Sequence, residues 1–130
     1  MKPQSLRQVV TFAAAPRQVY TALMDSKAHA AFTGSAAKIS PKVGGKISAW
    51  DGYISGKNLE LVENKKIVQA WRTEDWPAGV ISKVNFTLTK AGHGTKLTFV
   101  QTGLPENMFE DIKQGWIDYY WEPMKKHLEK

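Results

Sequence analysis

Cysteine is absent from this 130-residue chain. That excludes a disulfide framework, a thiolate zinc site and a cysteine nucleophile together. Arginine is scarce and dispersed, at Arg7, Arg17 and Arg72. A nucleic-acid reader more often interleaves arginines with aromatics, so no nucleic-acid partner is expected. No apolar run approaches the roughly 18 residues of a membrane span. Met1 to Arg7 has no apolar stretch behind a basic start, so no secretory signal is expected and the cytoplasm is the default compartment. His29, His93 and His127 share no predicted face with another ligand at metal-binding spacing, so no metal is expected. No Gly-x-Ser-x-Gly elbow, phosphate loop or dinucleotide fingerprint occurs, so neither a cofactor nor a catalytic set of residues is expected.

What is present suffices for one domain over residues 1–130. Hydrophobic residues make up 42% of the chain and charged residues 23%, a balance that supports a single core and not disorder. The net charge is +6. Residues 1–65 hold nine Lys/Arg against four Asp/Glu, whereas residues 66–130 hold nine against eight. The excess, notably Lys38, Lys42, Lys46 and Lys57, reads either as a solvated lysine face or as an attraction for an acidic partner.

Gln4 to Phe12 is β-rich and predicts a strand. Pro16 opens a helix over Arg17 to Met24, with Val19, Tyr20, Leu23 and Met24 on one stripe. Ser26 is expected to cap a second short helix through Ala31, closed by Phe32 and Thr33. Short strands follow over Ala37 to Ile39, Lys46 to Trp50, Tyr53 to Gly56 and Asn58 to Val62, with Asp51-Gly52 and Glu63-Asn64 as turns. Lys66 to Thr73 is a strand, Trp76-Pro77-Ala78-Gly79 a loop, and Val80 to Thr89 a strand with Val84, Phe86 and Leu88 on its inner face. Gly92-His93-Gly94 turns into Thr95 to Thr102, where Leu97, Phe99 and Gln101 share a face.

Glu106 to about Leu128 predicts one long helix, acidic early and basic late as the helix dipole favours. Met108, Ile112, Gly115, Trp116 and Tyr119 form a stripe, and Ile117, Tyr120, Trp121, Met124 and Leu128 a flank. Asp111, Gln114, Asp118, Glu122 and Lys125 are expected to face solvent. An apolar arc this wide must be gripped on more than one side. Pro123 predicts a kink at or just before it. The whole is an α+β plan: a curved antiparallel sheet of about six strands wrapped around the last helix, with two short helices after the first strand. The space between helix and sheet is a natural ligand cavity.

Three stretches go beyond a generic plan: Asp51-Gly52-Tyr53-Ile54-Ser55-Gly56; Lys66 to Arg72 with Trp76-Pro77-Ala78-Gly79; and Gln114-Gly115-Trp116 with Tyr119-Tyr120-Trp121-Glu122-Pro123-Met124-Lys125. In this order they resemble the C-terminal domain of the activators of the 90-kDa heat-shock protein ATPase, in the START-like, Bet v-like helix-grip superfamily. The resemblance covers nearly the whole chain. It implies the helix-grip fold and two roles, contact with a chaperone of the heat-shock protein 90 type or binding of an apolar small molecule. The eukaryotic activators carry an N-terminal domain that makes the main chaperone contact. This chain reads as the other domain standing alone.

Tyr20, Met24, Phe32, Trp71, Phe86, Phe99, Ile112, Trp116 and Tyr119 are the candidate cavity lining, or else ordinary core. Arg72, Trp76 and Trp121 are the candidate partner contacts. Arg72 is expected to point outward, toward Glu74 or Asp75. Trp76 reads as an interaction anchor or a lid, and Trp121 as a surface contact or core. Gly115 weakens a helix by about 1 kcal/mol relative to Ala, so a strand or a ligand is expected to approach there, a strand more readily. A non-catalytic protein-binding module is the leading expectation, with a hydrophobic-ligand carrier as the alternative. A cyclase- or hydrolase-type enzyme would have only Tyr20, Tyr119 and Asp51 to draw on, and ranks last.

Overall fold

A computed structural model describes residues 4–76 and 79–129. Pro77 and Ala78 of the Trp76 loop lie outside the described residues. Strand β1 (Gln4–Phe12) leads to helices α1 (Pro16–Met24) and α2 (Ser26–Thr33). Then come β2 (Lys38–Ile39), β3 (Lys46–Ala49), β4 (Ile54–Val62), β5 (Lys66–Thr73), β6 (Ser82–Ala91) and β7 (Gly94–Leu104). A short 3-10 turn (Glu106–Met108) opens the C-terminal helix, which runs through α3 (Phe109–Trp116), a π turn (Ile117–Trp121) and α4 (Glu122–Leu128).

The strands form one antiparallel sheet of seven, in the order β1-β7-β6-β5-β4-β3-β2. The sequence suggested about six, and a sheet wrapped around the last helix. The ladder instead ends openly, with β1 at one edge and β2 at the other. The helix therefore lies against the sheet without being enclosed by it. On β6, Val84, Phe86 and Leu88 are buried while Lys83 and Thr87 are exposed, so one face is covered and the other meets solvent.

Two expected strands merge into β4. Gly56 reads as a break but is a close approach: a Cβ there would stand 1.8 Å from the carbonyl oxygen of Ala70 on β5. A bulge at Leu59 then shifts the register between Asn58 and Glu60.

The cap of α2 is also corrected. Asp25 Oδ1 accepts from the backbone N–H groups of Lys27 and Ala28 at 2.8 and 3.4 Å, as a carboxylate at an N-cap does. Ser26 Oγ instead accepts from the Ile39 N–H at 2.8 Å, tying α2 to β2.

The predicted irregularity before Pro123 is the π turn. The Glu122 N–H donates to the Ile117 carbonyl, an i→i−5 bond, immediately before the residue that has no N–H to give. The extra residue resets the helix face. Trp116 and Trp121, five positions apart, stack at 5.4 Å with planes 21° apart. Tyr120 and Met124 join them in the core, while Tyr119 turns outward, 58% exposed. Its expected place on the inward stripe beside Trp116 is thus corrected.

A chain of buried polar contacts fastens this helix to three strands. Trp116 Nε1 donates to Gln101 Oε1, Gln101 Nε2 to Ser82 Oγ, and Ser82 Oγ to the Trp71 carbonyl, each at 2.8 Å. All of these groups are buried and paired, so the network adds orientation without leaving a desolvated orphan.

Candidate functional site

Between the C-terminal helix and the β3–β5 end of the sheet lies a cleft of about 540 Å³. Trp71 on β5 and Trp116 on α3 form its floor, 5.5 Å apart between ring centroids. Trp76 packs against Trp71 at 5.6 Å and closes one side. Met108, Ile112 and Gly115 present the helix wall. Trp50, Tyr53, Tyr119 and Tyr120 line the opposite side, Trp50 meeting Tyr119 edge-on at 5.5 Å.

The turn that carries Trp50 is strained. Trp50, Asp51 and Gly52 have φ of 54°, 56° and 92° in succession. A large L-residue rarely sits in the left-handed region. The turn is held there by Ala36: its N–H donates to Asp51 Oδ1, and its carbonyl accepts from the Asp51 N–H, both at 3.1 Å. The result sets an indole over the cleft.

Two carboxylates also line the cleft, Asp75 and Asp111, together with Thr73. Thr73 Oγ1 donates to Asp75 Oδ1, and Tyr53 Oη donates to Asp75 Oδ2 at 2.9 Å. The Thr73 bond, helped by Tyr53, holds the Asp75 carboxyl below its ordinary range and so ionised at neutral pH. The buried Trp76 Nε1–H at the cleft wall has no hydrogen-bond partner among the described residues.

Of the residues singled out from sequence, Trp71, Ile112, Trp116 and Tyr119 meet in this cleft. Tyr20, Met24, Phe32 and Phe99 do not line it. Phe32 packs on His29 and Tyr120, and Phe99 on Trp116 and Trp121. Phe86 borders a separate void of about 20 Å³. Trp76 and Trp121 are each 3% exposed, so neither offers a surface anchor. Trp121 Nε1 donates to Gln8 Oε1 at 2.8 Å, pinning the helix to β1. Arg72 Nη2 donates to the Trp76 carbonyl at 2.8 Å, bracing the loop that carries the indole.

Close packing at Gly115 is not what the structure shows. A Cβ there would meet only Tyr119 Cδ2, at 3.8 Å, an ordinary contact. The missing side chain enlarges the cleft. Sequence reasoning missed Trp50, Tyr53, Thr73, Asp75 and Tyr120 as lining and assigned Asp111 to solvent alone. The Asp51-Gly52 turn signal was the available clue for Trp50.

His29, expected to hold no metal, is paired with Tyr120 and with no charged side chain among the described residues. It is 3% exposed, with Nε2 3.1 Å from Tyr120 Oη and Nδ1 unpaired among the described residues. Burial lowers its pKa to about 4 and raises that of Tyr120. Among the described residues no group of His, Asp and Glu could hold a metal ion, and no helix is long and apolar enough to cross a membrane.

The geometry has close counterparts among known proteins. The profile of the family described as "Activator of Hsp90 ATPase homolog 1-like protein" matches residues 13–129. The human Activator of 90 kDa heat shock protein ATPase homolog 1 is 33% identical over 116 residues, covering 89% of this chain and 34% of that protein. A homolog of the same activator from Dictyostelium discoideum is 35% identical over 114 residues, 87% of this chain and 30% of its own. The chain thus spans about a third of the length of these curated relatives. The crystal structure of an HSP90 activator from Plasmodium falciparum superposes with a TM-score of 0.91 at 25% identity, covering 96% of each chain. With the helix-grip architecture and nearly the whole sequence matched, this chain belongs to the family of Activator of Hsp90 ATPase homolog 1-like proteins.

Proposed function

We propose that this domain is a non-catalytic module that contacts a chaperone of the heat-shock protein 90 type. The observation that carries the reading is the match over nearly the entire fold to proteins named for activating that chaperone's ATPase. Surface charge supports it. Lys46 and Lys57 stand directly opposite one another on β3 and β4, and Lys38 and Lys42 are exposed near the same sheet edge. Like charges in opposed register repel, and an acidic partner surface relieves that repulsion while speeding the encounter. The test is calorimetric titration of the domain into a purified heat-shock protein 90 at low and high salt, with Lys46→Glu/Lys57→Glu as the comparison. The expected result is association that weakens with salt and further in the double variant. No association at low salt would overturn the reading.

A second reading rests on the cleft. Its volume of about 540 Å³ falls within the range of small-molecule sites, and its wall combines a strained Trp50 with an unpaired buried Trp76 N–H. On this reading the domain also holds a small apolar molecule between helix and sheet.

A further inference from the structure

The cleft differs in charge from the rest of the molecule. The chain carries 18 Lys and Arg against 12 Asp and Glu. Yet among the described residues the acidic or basic side chains that line the cleft are two aspartates, Asp75 and Asp111, and its lining holds no lysine, arginine or histidine. Half of the lining residues are Trp or Tyr. An aromatic ring presents a negative face, and a ring of such faces favours a cation over a neutral body of the same shape. An anion would meet two carboxylates and no compensating cation in the wall.

We propose that the cleft is a binding site for an organic cation: a quaternary or substituted ammonium group on an apolar or aromatic body. The proposal rests on the small-molecule reading of the cleft and adds the chemical class of its ligand. Trp50, Trp71 and Trp116 supply the aromatic surfaces, and Asp75 and Asp111 the balancing charge. The Thr73 and Tyr53 hydrogen bonds fix the Asp75 carboxylate in place. A fixed carboxylate loses little freedom when a cation arrives, which is how preorganisation favours binding. Gly115 leaves room for the ligand body against the helix.

The cleft contains its own reporter, since four of the five tryptophans line it. Tryptophan fluorescence is titrated with benzyltrimethylammonium, with its neutral isostere neopentylbenzene and with the anion phenylmethanesulfonate. The cation is expected to bind at least about tenfold more tightly than the neutral isostere, and the anion to bind weakest. Asp111→Asn, at an exposed position, and Asp75→Asn/Asp111→Asn are each expected to weaken the cation by severalfold and to leave the neutral probe unchanged. Circular dichroism confirms that each variant is folded. Gly115→Leu is expected to block all three probes. If neopentylbenzene or the sulfonate binds as tightly as the cation, the cationic class is overturned and the cleft reading stands. If none of the three binds, both fall.

Discussion

His29 makes the stability of this domain fall in mild acid, by an amount that the structure sets. In the folded state the imidazole is buried against Phe32 and Tyr120, ring centroids 5.0 and 5.4 Å away. Burial alone depresses its pKa, from 6.5 to about 4. The unfolded chain binds the proton first, so the stabilisation from a neutral His29 is complete above about pH 6.5 and is lost as the pH falls toward about 4. Carried through in full, the depression corresponds to roughly 3 to 4 kcal/mol, of which about 1 is already gone at pH 5.5. The assay is urea unfolding at a series of pH values from about 7 to 4, on the native chain and on His29→Phe. The variant gives up the hydrogen bond to Tyr120, a loss that stays constant with pH, so only the difference in slope matters. Carboxylate titration is common to both proteins and cancels. Measured from their separation at pH 7, the native curve is expected to drop relative to that of the variant by the amounts given. Parallel curves, or a nuclear magnetic resonance titration placing His29 near its ordinary value, would refute the burial argument.

Other substitutions test the packing and the cleft wall. Gln101→Leu leaves the buried Trp116 N–H unpaired and removes the donor to Ser82 Oγ, which keeps its own bond to the Trp71 carbonyl. It is expected to cost about 2–4 kcal/mol in chemical denaturation, with a shifted tryptophan emission. Gly115→Ala meets only an ordinary contact and removes a helix-weakening glycine, so it is expected to raise stability by up to about 1 kcal/mol in thermal unfolding. Gly56→Ala drives a methyl into the Ala70 carbonyl; a loss of at least about 2 kcal/mol is expected, visible as a lowered denaturation midpoint.

How much was legible beforehand depended on whether a feature was local. The alternation from Val84 to Leu88 and the Pro16 helix start are local, and β6 and α1 lie where those patterns place them. Gly56 was misread because a glycine that ends a strand and one that admits a neighbouring carbonyl look the same in one dimension. The Ser26 cap failed because two adjacent residues could each serve, and only the position of β2 decided that Ser26 would bind Ile39.

The cleft shows the same division more sharply. Its floor was legible in Trp71 and Trp116, because large rings on the inner faces of a strand and a helix must meet in the core. Its mouth was not. Trp50 is there through a left-handed turn pinned by Ala36, and Asp75 through bonds to Thr73 and Tyr53. Tyr120 is buried and Tyr119 exposed, while both line the cleft, because the π turn before Pro123 inserts one residue into the helical count. By itself, then, the sequence determined the order of elements, the broad apolar helix and the family. Tertiary structure alone decided which aromatics face the cleft and which carboxylates meet there, because side-chain direction depends on turns and helix register fixed by distant contacts.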